Sequence, residues 1–249
     1  MVDVPPLSEE AQAAELAKLI ETIEDLTRRQ VSSSVIFDLD GTLLDNRPRT
    51  VYIFRELASV LGDDLPQLQR AMEAFVPLDA VEYSLEATLR AIGVDDPAEI
   101  ETIIAEWGKR FFSDTYQRFD IPHPGGRKFV DAVHRAGATV IYLTGRDRAR
   151  MLVGTTESLR QYGFPVGIVG TMTIVKADIA MDDETFKLET VDYLKRLGTV
   201  VATFENEPAN ANMLLKAFPY TRSYLLTTQH SPGAPEPVPE VIAIRDFKW

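Results

Sequence analysis

Apolar and polar residues follow two different periods along this chain, and the change of period indicates its organisation. Near the amino terminus, apolar residues recur every three or four positions on a charged background: Leu16, Leu19, Ile20, Ile23 and Leu26. This spacing predicts one amphipathic helix after the possible cap Ser8, packed on the main domain. The next stretch, "SSVIFDLD", is short, apolar and β-branched, which is typical of a buried strand.

The following seventy residues have a helical pattern throughout. Four helix-like segments run from Thr50 to about Phe119, interrupted near Gly62, Pro77 and the sequence "GVDDP". None of these segments has the alternation or the β-branched content of a strand. We therefore predict an all-helical insertion, a cap, over residues 46–120.

Helices and apolar strands alternate in the second half of the chain. Helices are predicted to end near Arg135 and Tyr162 and to cover residues 184–196 and 208–217, and the strands between and after them are "ATVIYLT", "VGIVG", "TVVATFE", "YLLTT" and "VIAIRDF". Such alternation favours a parallel sheet with helices on both faces. The predicted fold is therefore α/β: a doubly wound, Rossmann-like core of residues 34–45 and 121–249, preceded by a helical segment in residues 1–33.

The composition is that of a globular protein with an acidic surface. Of the 249 residues, 45% are apolar or aromatic, and 38 Asp and Glu outweigh 26 Lys and Arg to give a formal charge of -12. Such a field repels nucleic acid and anionic membranes. Because there is no cysteine, a bound metal would need oxygen or imidazole ligands. With no apolar stretch of transmembrane length and no secretion signal in "MVDVPPLSEEAQ", we expect a cytoplasmic protein without nucleic-acid or membrane partners.

Two aspartates follow the first predicted strand. Because side chains alternate along a strand, Asp38 and Asp40 can face the same side while Leu39 points into the core. Ligands of open parallel sheets bind beyond the carboxyl ends of the strands, which is where both acids lie. Two carboxylates this close repel each other, so the pair favours a bound cation, and Mg²⁺ is the natural candidate for oxygen ligands.

The acidic pair also has simpler interpretations than a catalytic one. Aspartates are frequent in turns and on surfaces, so an isolated D-x-D pattern has little specificity. A calcium-binding loop counted from Asp38 would need Asp or Asn at position 42, Gly at 43 and Glu at 49. The chain has Thr42, Leu43 and Arg49 there, which excludes that loop.

Other chemistry-bearing residues lie at the ends of later predicted elements. They are Thr144 and Gly145 after "VIYLT", Lys187 near the start of a helix, and Glu205 and Asn206 after "TVVATF". A hydroxyl, a glycine amide and an ammonium suit an anion, whereas the carboxylate and amide oxygens suit a metal. Each has a structural alternative: Thr144 can simply end a strand, Lys187 can be solvated with Lys176 in its place, and Glu205, Asn206 and Asn210 can cap the next helix.

The order of these residues resembles that of the haloacid dehalogenase-like hydrolase superfamily. "DLDGT" matches the first motif of that superfamily, Thr144 in "YLTGR" the second, Lys187 the third, and "ENEPAN" the acidic fourth motif. The resemblance extends from about residue 34 to the carboxyl terminus. It places the helical block as the cap that this superfamily inserts between its first and second motifs.

The resemblance implies a phosphatase that hydrolyses a small phosphorylated metabolite. Asp38 would attack phosphorus to form an aspartyl-phosphate, and Asp40 would protonate the leaving alcohol and then activate water. Mg²⁺ would be bound by Asp38, the backbone carbonyl of Asp40, and Glu205 or Asn206. The phosphate oxygens would be held by Thr144, the amide of Gly145, and Lys187.

The chain departs from the superfamily pattern at Asn206, where an aspartate is common. A neutral amide contributes less charge to a metal site, so a phospholigand-binding protein without catalysis is one alternative. A dehalogenase is another, although it would need neither Asp40 nor a metal. Arg146 in "GRDRAR" is either part of a solvated helix start or a contact for a second anionic group of the substrate. The sequence does not specify the substrate or an oligomeric state.

Overall fold

A computed structural model describes residues 4–249. Residues 1–3 lie outside the described residues. They are the first positions of the predicted helical segment 1–33 and of the stretch in which we expect no secretion signal. The strands are β1 Ser33–Phe37, β2 Leu44–Asp45, β3 Ile121–Pro122, β4 Thr139–Asp147, β5 Thr171–Lys176, β6 Thr199–Glu205, β7 Arg222–Leu226 and β8 Ile242–Ile244. The α-helices are α1 Glu9–Arg28, α2 Arg47–Val60, α3 Pro66–Glu73, α4 Leu85–Ala91, α5 Pro97–Phe111, α6 Gly126–Ala136, α7 Arg148–Gln161, α8 Asp183–Leu194 and α9 Pro208–Ala217.

Six of these strands form one parallel sheet in the order β5-β4-β1-β6-β7-β8. Both faces of the sheet are covered by helices, as the continuous burial of β1 requires. On β1, Val35 and Phe37 pack into the cluster that contains residues of α1 and α6, whereas Ile36 packs into the cluster of α8 and α9. The predicted α/β class with a parallel Rossmann-like core is therefore confirmed.

The amino-terminal helix packs on the same chain. Ser8 caps α1, since its hydroxyl accepts a hydrogen bond from the amide of Ala11. Leu16, Leu19 and Ile23 are fully buried in the cluster that also contains β1 and α6. The charged face of the helix is left toward solvent, as the sequence pattern indicates.

The helical insertion has an apolar core of its own. Helices α2, α3, α4 and α5 pack around buried residues that include Ile53, Phe54, Leu57, Leu89 and Ile103. Two short 3-10 helices, Leu78–Ala80 and Asp114–Phe119, complete this block. The two segments that join it to the sheet pair with each other as the antiparallel strands β2 and β3.

One predicted strand is wrong. The sequence "VGIVG" forms turns, and the edge strand β5 begins directly after it at Thr171. Gly167 and Gly170 both have positive φ, which breaks an extended backbone, and Val169 is 96% exposed. The apolar content of the stretch favours a strand, but the positive φ of its two glycines produces a turn.

The topology brings three strand ends together. From β1 the chain runs outward through β4 to β5 and then crosses to β6 on the other side of β1, so the strand order reverses at β1. Ligands of doubly wound sheets bind at such a reversal, outside the carboxyl ends of the strands. Asp38 follows β1, Thr144 lies near the end of β4, and Glu205 ends β6.

Candidate active site

A buried lysine joins two of the predicted site carboxylates. The ammonium group of Lys187 on α8 lies 2.8 Å from Asp38 Oδ1 and 2.6 Å from Glu205 Oε1. All three residues are at most 5% exposed. The competing lysine, Lys176, contacts the carbonyl of Met181 and the carboxylate of Asp183 instead. Lys187 is therefore the lysine that contacts the predicted nucleophile.

The charges of this triad are strongly coupled. Burial raises the pKa of Asp38 above its usual value, and the charge of Lys187 only partly opposes this. Burial likewise raises the pKa of Glu205, to about 8. For Lys187, burial alone would lower the pKa, but the charges of Asp38 and Glu205 outweigh it and raise the pKa above its usual range. The lysine is therefore charged, and one ammonium neutralises only one of the two carboxylates.

Asn206 contacts the first motif and the segment after β7. Its Oδ1 accepts a hydrogen bond from the hydroxyl of Thr42 at 3.1 Å, and its Nδ2 donates to the carbonyl of Gln229 at 2.7 Å. Gly41, with φ of 78°, lies against this amide, and a Cβ there would come within 2.9 Å of Asn206 Cγ. A glycine is thus required both by the left-handed backbone and by the close approach of Asn206.

These residues fit a divalent cation with oxygen ligands. Among residues 4–249, no three Asp, Glu or His side chains cluster as a metal site, so such an ion needs neutral oxygens as well. When both are ionised, the carboxylates of Asp38 and Glu205 exceed the charge of Lys187 by one, and Glu205 Oε2 is buried without a hydrogen-bond partner in the described chain. The carbonyl of Asp40 and the amide of Asn206 are the neutral oxygens at the same strand ends. Hard oxygen donors with excess negative charge suit Mg²⁺.

The helix-capping alternative for the fourth motif is wrong. Helix α9 begins after Glu207, and no side chain at that cap position bonds to the helix amides. Glu205 pairs with Lys187 and Asn206 with Thr42 and Gln229, as described above. Asn210 is buried inside the first turn of α9. Glu205 and Asn206 therefore face the site and not the helix end.

Thr144 and Gly145 lie where β4 loses its regular pairing with β5. The register shifts between Thr144 and Asp147, a bulge that turns side chains away from the ladder. Thr144 is fully buried, and its hydroxyl accepts a hydrogen bond from the amide of Arg146 at 3.3 Å. A Cβ at Gly145 would overlap the carboxylate of Asp183, so only glycine fits there without movement of that side chain.

Asp40 is bound by two arginines. Arg146 donates from Nε to Asp40 Oδ2 and from Nη2 to Oδ1, both at 2.8 Å, and Arg49 Nη2 lies 3.3 Å from Oδ1. Burial alone would raise the pKa of Asp40, but the charge and hydrogen bonds of Arg146, supported by Arg49, lower it well below its usual value. Asp40 is therefore ionised in this arrangement.

The predicted roles of Arg146 do not match its surroundings. Arg146 is 2% exposed, so it is not a solvated helix start, and its guanidinium is bound to Asp40 and Asp120 and does not face outward. Sequence reasoning missed Arg49 and Asp120, which complete this cluster. Both belong to segments that pattern analysis assigns to helix or loop, and no local signal shows that they meet.

The family of the chain follows from comparison with known proteins. Residues 33–160, about half of the chain, match the family model described as haloacid dehalogenase-like hydrolase. The chain belongs to this family. A phosphoglycolate phosphatase from Pseudomonas fluorescens is 27% identical over 133 residues, which are 51% of this chain and 46% of that protein. The haloacid dehalogenase-like chain thus spans less than half the length of this relative.

Solved structures share the fold of this haloacid dehalogenase-like hydrolase. Protein tyrosine kinase A from Mycobacterium tuberculosis has a TM-score of 0.55 at 16% identity, covering 88% of this chain and 95% of that one. A HAD-superfamily hydrolase from Geobacter sulfurreducens has a TM-score of 0.50 at 11% identity, covering 87% and 93%. At such identities the likeness shows the fold and not a shared reaction.

The described part of the chain offers no membrane-spanning helix. Between residues 4 and 249, no helix combines the length and apolar character that crossing a bilayer requires. The longest helix, α1, has a charged face and packs on the sheet.

Proposed function

We propose that this haloacid dehalogenase-like hydrolase is a Mg²⁺-dependent phosphohydrolase that cleaves a small phosphomonoester through an aspartyl-phosphate on Asp38. The observation that carries the proposal is the contact of Asp38 with Lys187 at the carboxyl end of β1, with Asp40 two residues on. A nucleophilic carboxylate must meet an anionic phosphate, so it needs adjacent positive charge. Lys187 provides that charge, and the surplus carboxylate of Glu205 provides for a cation.

The first step is attack by a carboxylate oxygen of Asp38 on phosphorus. A bond forms between that oxygen and phosphorus while the bond from phosphorus to the ester oxygen breaks, leaving an acyl-phosphate and an alcohol. Lys187 favours the ionised form of Asp38 and orients it through its 2.8 Å contact. The side chain of Asp38 is only 7% exposed, so it has little freedom to turn away from the site.

Asp40 would act as the general acid in the first step and as the general base in the second. The leaving oxygen takes a proton, and in the second step an attacking water loses one as phosphate is released from Asp38. The ionised carboxylate seen here has the form needed to take the proton from water. For the first step Asp40 must carry a proton, which the negative charge of a bound phosphate would favour and its ion pairs with Arg146 and Arg49 oppose.

The phosphate oxygens would be held by groups at the ends of β4 and α8. The hydroxyl of Thr144 and the amide of Gly145, on the strand β4 that pairs with β1, would donate to these oxygens together with the ammonium of Lys187, which contacts Asp38. Preorganised donors of this kind stabilise charge as it develops in the transition state. Mg²⁺, held by Asp38, the carbonyl of Asp40, Glu205 and Asn206, would screen the repulsion between carboxylate and phosphate.

The substrate would be a small phosphorylated metabolite. The helical insertion contacts the sheet beside the site, where Gln229 donates to the carbonyl of Val81 and also accepts from Asn206. A lid in this position would exclude water from the bound ester until the acyl-phosphate forms. The name of the Pseudomonas relative makes 2-phosphoglycolate the first compound to test. Location in the cytoplasm stays a prediction.

Phosphate release from a panel of small phosphomonoesters tests the proposal. We expect turnover by the wild type with Mg²⁺, and none above background with chelator or in Asp38→Asn. Asp192→Asn on the exposed face of α8 is the matched control and should keep wild-type activity. Mg²⁺ binding without turnover of any ester would favour the non-catalytic phospholigand-binding alternative. Equal turnover by wild type and Asp38→Asn would contradict the assignment of the nucleophile.

A further inference from the structure

We propose that Arg146 is a positioning residue that fixes the carboxylate of Asp40 at the reacting centre, and that Asp120 and Gln117 fix Arg146 in turn. The inference rests on the proposed function, because Asp40 has a reacting partner only if the chain cleaves a phosphomonoester. In the proposed function, Arg146 binds neither the substrate nor the metal.

The pairing of Arg146 with Asp40 is bidentate. Nε donates to one carboxylate oxygen and Nη2 to the other, each at 2.8 Å. Two parallel hydrogen bonds between a planar guanidinium and a planar carboxylate fix both the distance and the plane of the carboxylate. A single ammonium contact would fix neither. Asn46 and Arg49 add donors to Oδ1 alone, each at 3.3 Å.

Arg146 is itself held on its other side. Its Nη1 donates to Gln117 Oε1 at 2.5 Å and to the hydroxyl of Thr155 at 3.3 Å, and its Nη2 also reaches Asp120 Oδ2 at 2.8 Å. These three partners are fully buried. Because every nitrogen of the guanidinium donates a hydrogen bond, the group has no alternative orientation. The position of Asp40 therefore depends on the residues that hold Arg146.

Solvent exposure within this cluster is almost entirely confined to Asp40. Arg49 and Asp120 have fully buried side chains and Arg146 is 1% exposed, whereas the side chain of Asp40 is 31% exposed. The network of two arginines and two aspartates is balanced in charge, and it ends on the one member that faces open space. A network that served packing alone would not need to end on an accessible carboxylate beside the predicted nucleophile.

The cluster also joins the sheet to the helical insertion. Arg49 lies in α2 at the start of the insertion, Gln117 lies in the 3-10 helix at its end, and Asp120 follows directly. Arg146 and Thr155 belong to the β4 and α7 side of the core. The orientation of Asp40 therefore depends on contacts that form when the insertion is seated on the sheet.

A double-mutant cycle with steady-state kinetics tests the inference. The variants are Arg146→Gln, Asp40→Asn and the double variant, with Arg146→Lys as a second change that retains the charge but loses the bidentate geometry. The control is Arg150→Gln, since Arg150 pairs with Asp147 in the same segment and does not contact Asp40. All are measured on 2-phosphoglycolate or the best ester of the panel, with Mg²⁺.

We expect kcat to fall about 10²-fold in Arg146→Gln, with KM little changed, because the acid or base is misplaced while substrate contacts remain. Arg146→Lys should show a smaller loss of the same kind. The double variant should be no slower than Asp40→Asn, since residues that act as a unit are not additive. Arg150→Gln should match the wild type.

Three results would overturn the inference. A double variant slower than Asp40→Asn by the full Arg146→Gln factor would show that Arg146 acts independently of Asp40. A rise in KM with unchanged kcat in Arg146→Lys would assign the arginine to substrate binding, and unchanged kinetics in Arg146→Lys would show that its geometry is not used. A wild type inactive on every ester would instead overturn the proposed function, and this inference with it.

Discussion

Replacement of Lys187 by methionine tests how the centre of the site is held together. The ammonium lies 2.8 Å from Asp38 and 2.6 Å from Glu205, and no side chain of the three is more than 7% exposed. Methionine retains the volume of the buried stem, so the change removes the charge without creating a large cavity. The substitution leaves the buried carboxylates of Asp38 and Glu205 without the ammonium between them. Removal of one partner of a buried ion pair costs about 3–5 kcal/mol.

The assay is chemical or thermal unfolding of the metal-free protein, with Lys128→Met on the exposed face of α6 as the matched control. At roughly 2–4 °C per kcal/mol for a chain of this size, Lys187→Met should melt about 6–20 °C below the wild type, whereas the control should shift by less than about 2 °C. The loss is expected to be largest in alkaline buffer, because uptake of a proton by either carboxylate relieves the repulsion.

Added Mg²⁺ provides a second measurement on the same samples. A cation that binds only the folded state stabilises it by an amount that grows with the logarithm of its affinity, and the variant site carries one more uncompensated negative charge. Magnesium should therefore raise the melting temperature of Lys187→Met by more than that of the wild type. A variant within about 0.5 kcal/mol of the control, or one that Mg²⁺ does not stabilise further, would refute the account of Lys187 as the neutralising group.

Three further changes probe other parts of the molecule. Asn206→Asp adds charge to the proposed metal site and should tighten Mg²⁺ binding roughly tenfold by calorimetry, while Asn212→Asp, an amide on α9 that also contacts backbone but is not a proposed ligand, should not. Gly41→Ala should lower the free energy of unfolding by about 1–2 kcal/mol and weaken Mg²⁺ binding, because φ is 78° and Asn206 must move; unchanged binding would contradict that contact. Leu19→Ala should cost about 2–5 kcal/mol by denaturant unfolding, and a neutral result would show that α1 is not part of the core.

Local pattern was sufficient for most of the fold because each element buries a face that the sequence marks. The heptad-like spacing of Leu16, Leu19 and Ile23 predicts α1, and the β-branched run before Asp38 predicts β1. The pattern failed at "VGIVG", where positive φ at two glycines outweighs apolar composition. Apolar content alone does not distinguish a buried strand from a turn that exposes its side chains.

The order of motifs placed Asp38, Lys187 and Glu205 at element ends, and the parallel topology brings those ends together. Their contact is therefore accessible to sequence reasoning once the sheet is predicted, whereas the contacts in the structure distinguish Lys187 from Lys176. The family match of residues 33–160 agrees with that order of motifs. Their roles in catalysis stay predictions until turnover is measured.

The sequence by itself determined the α/β class, the acidic pair after the first strand, and the set of residues at the strand ends, because these depend on short-range periodicity and on chain order. Only the tertiary structure decided that Asp40 is bound by Arg146 and Arg49 and that Asp120 completes the cluster. These residues are far apart in sequence and come from the sheet and from both ends of the insertion. Charge pairing across such separations leaves no periodic signal, since it is set by which buried groups must neutralise each other once the elements have packed.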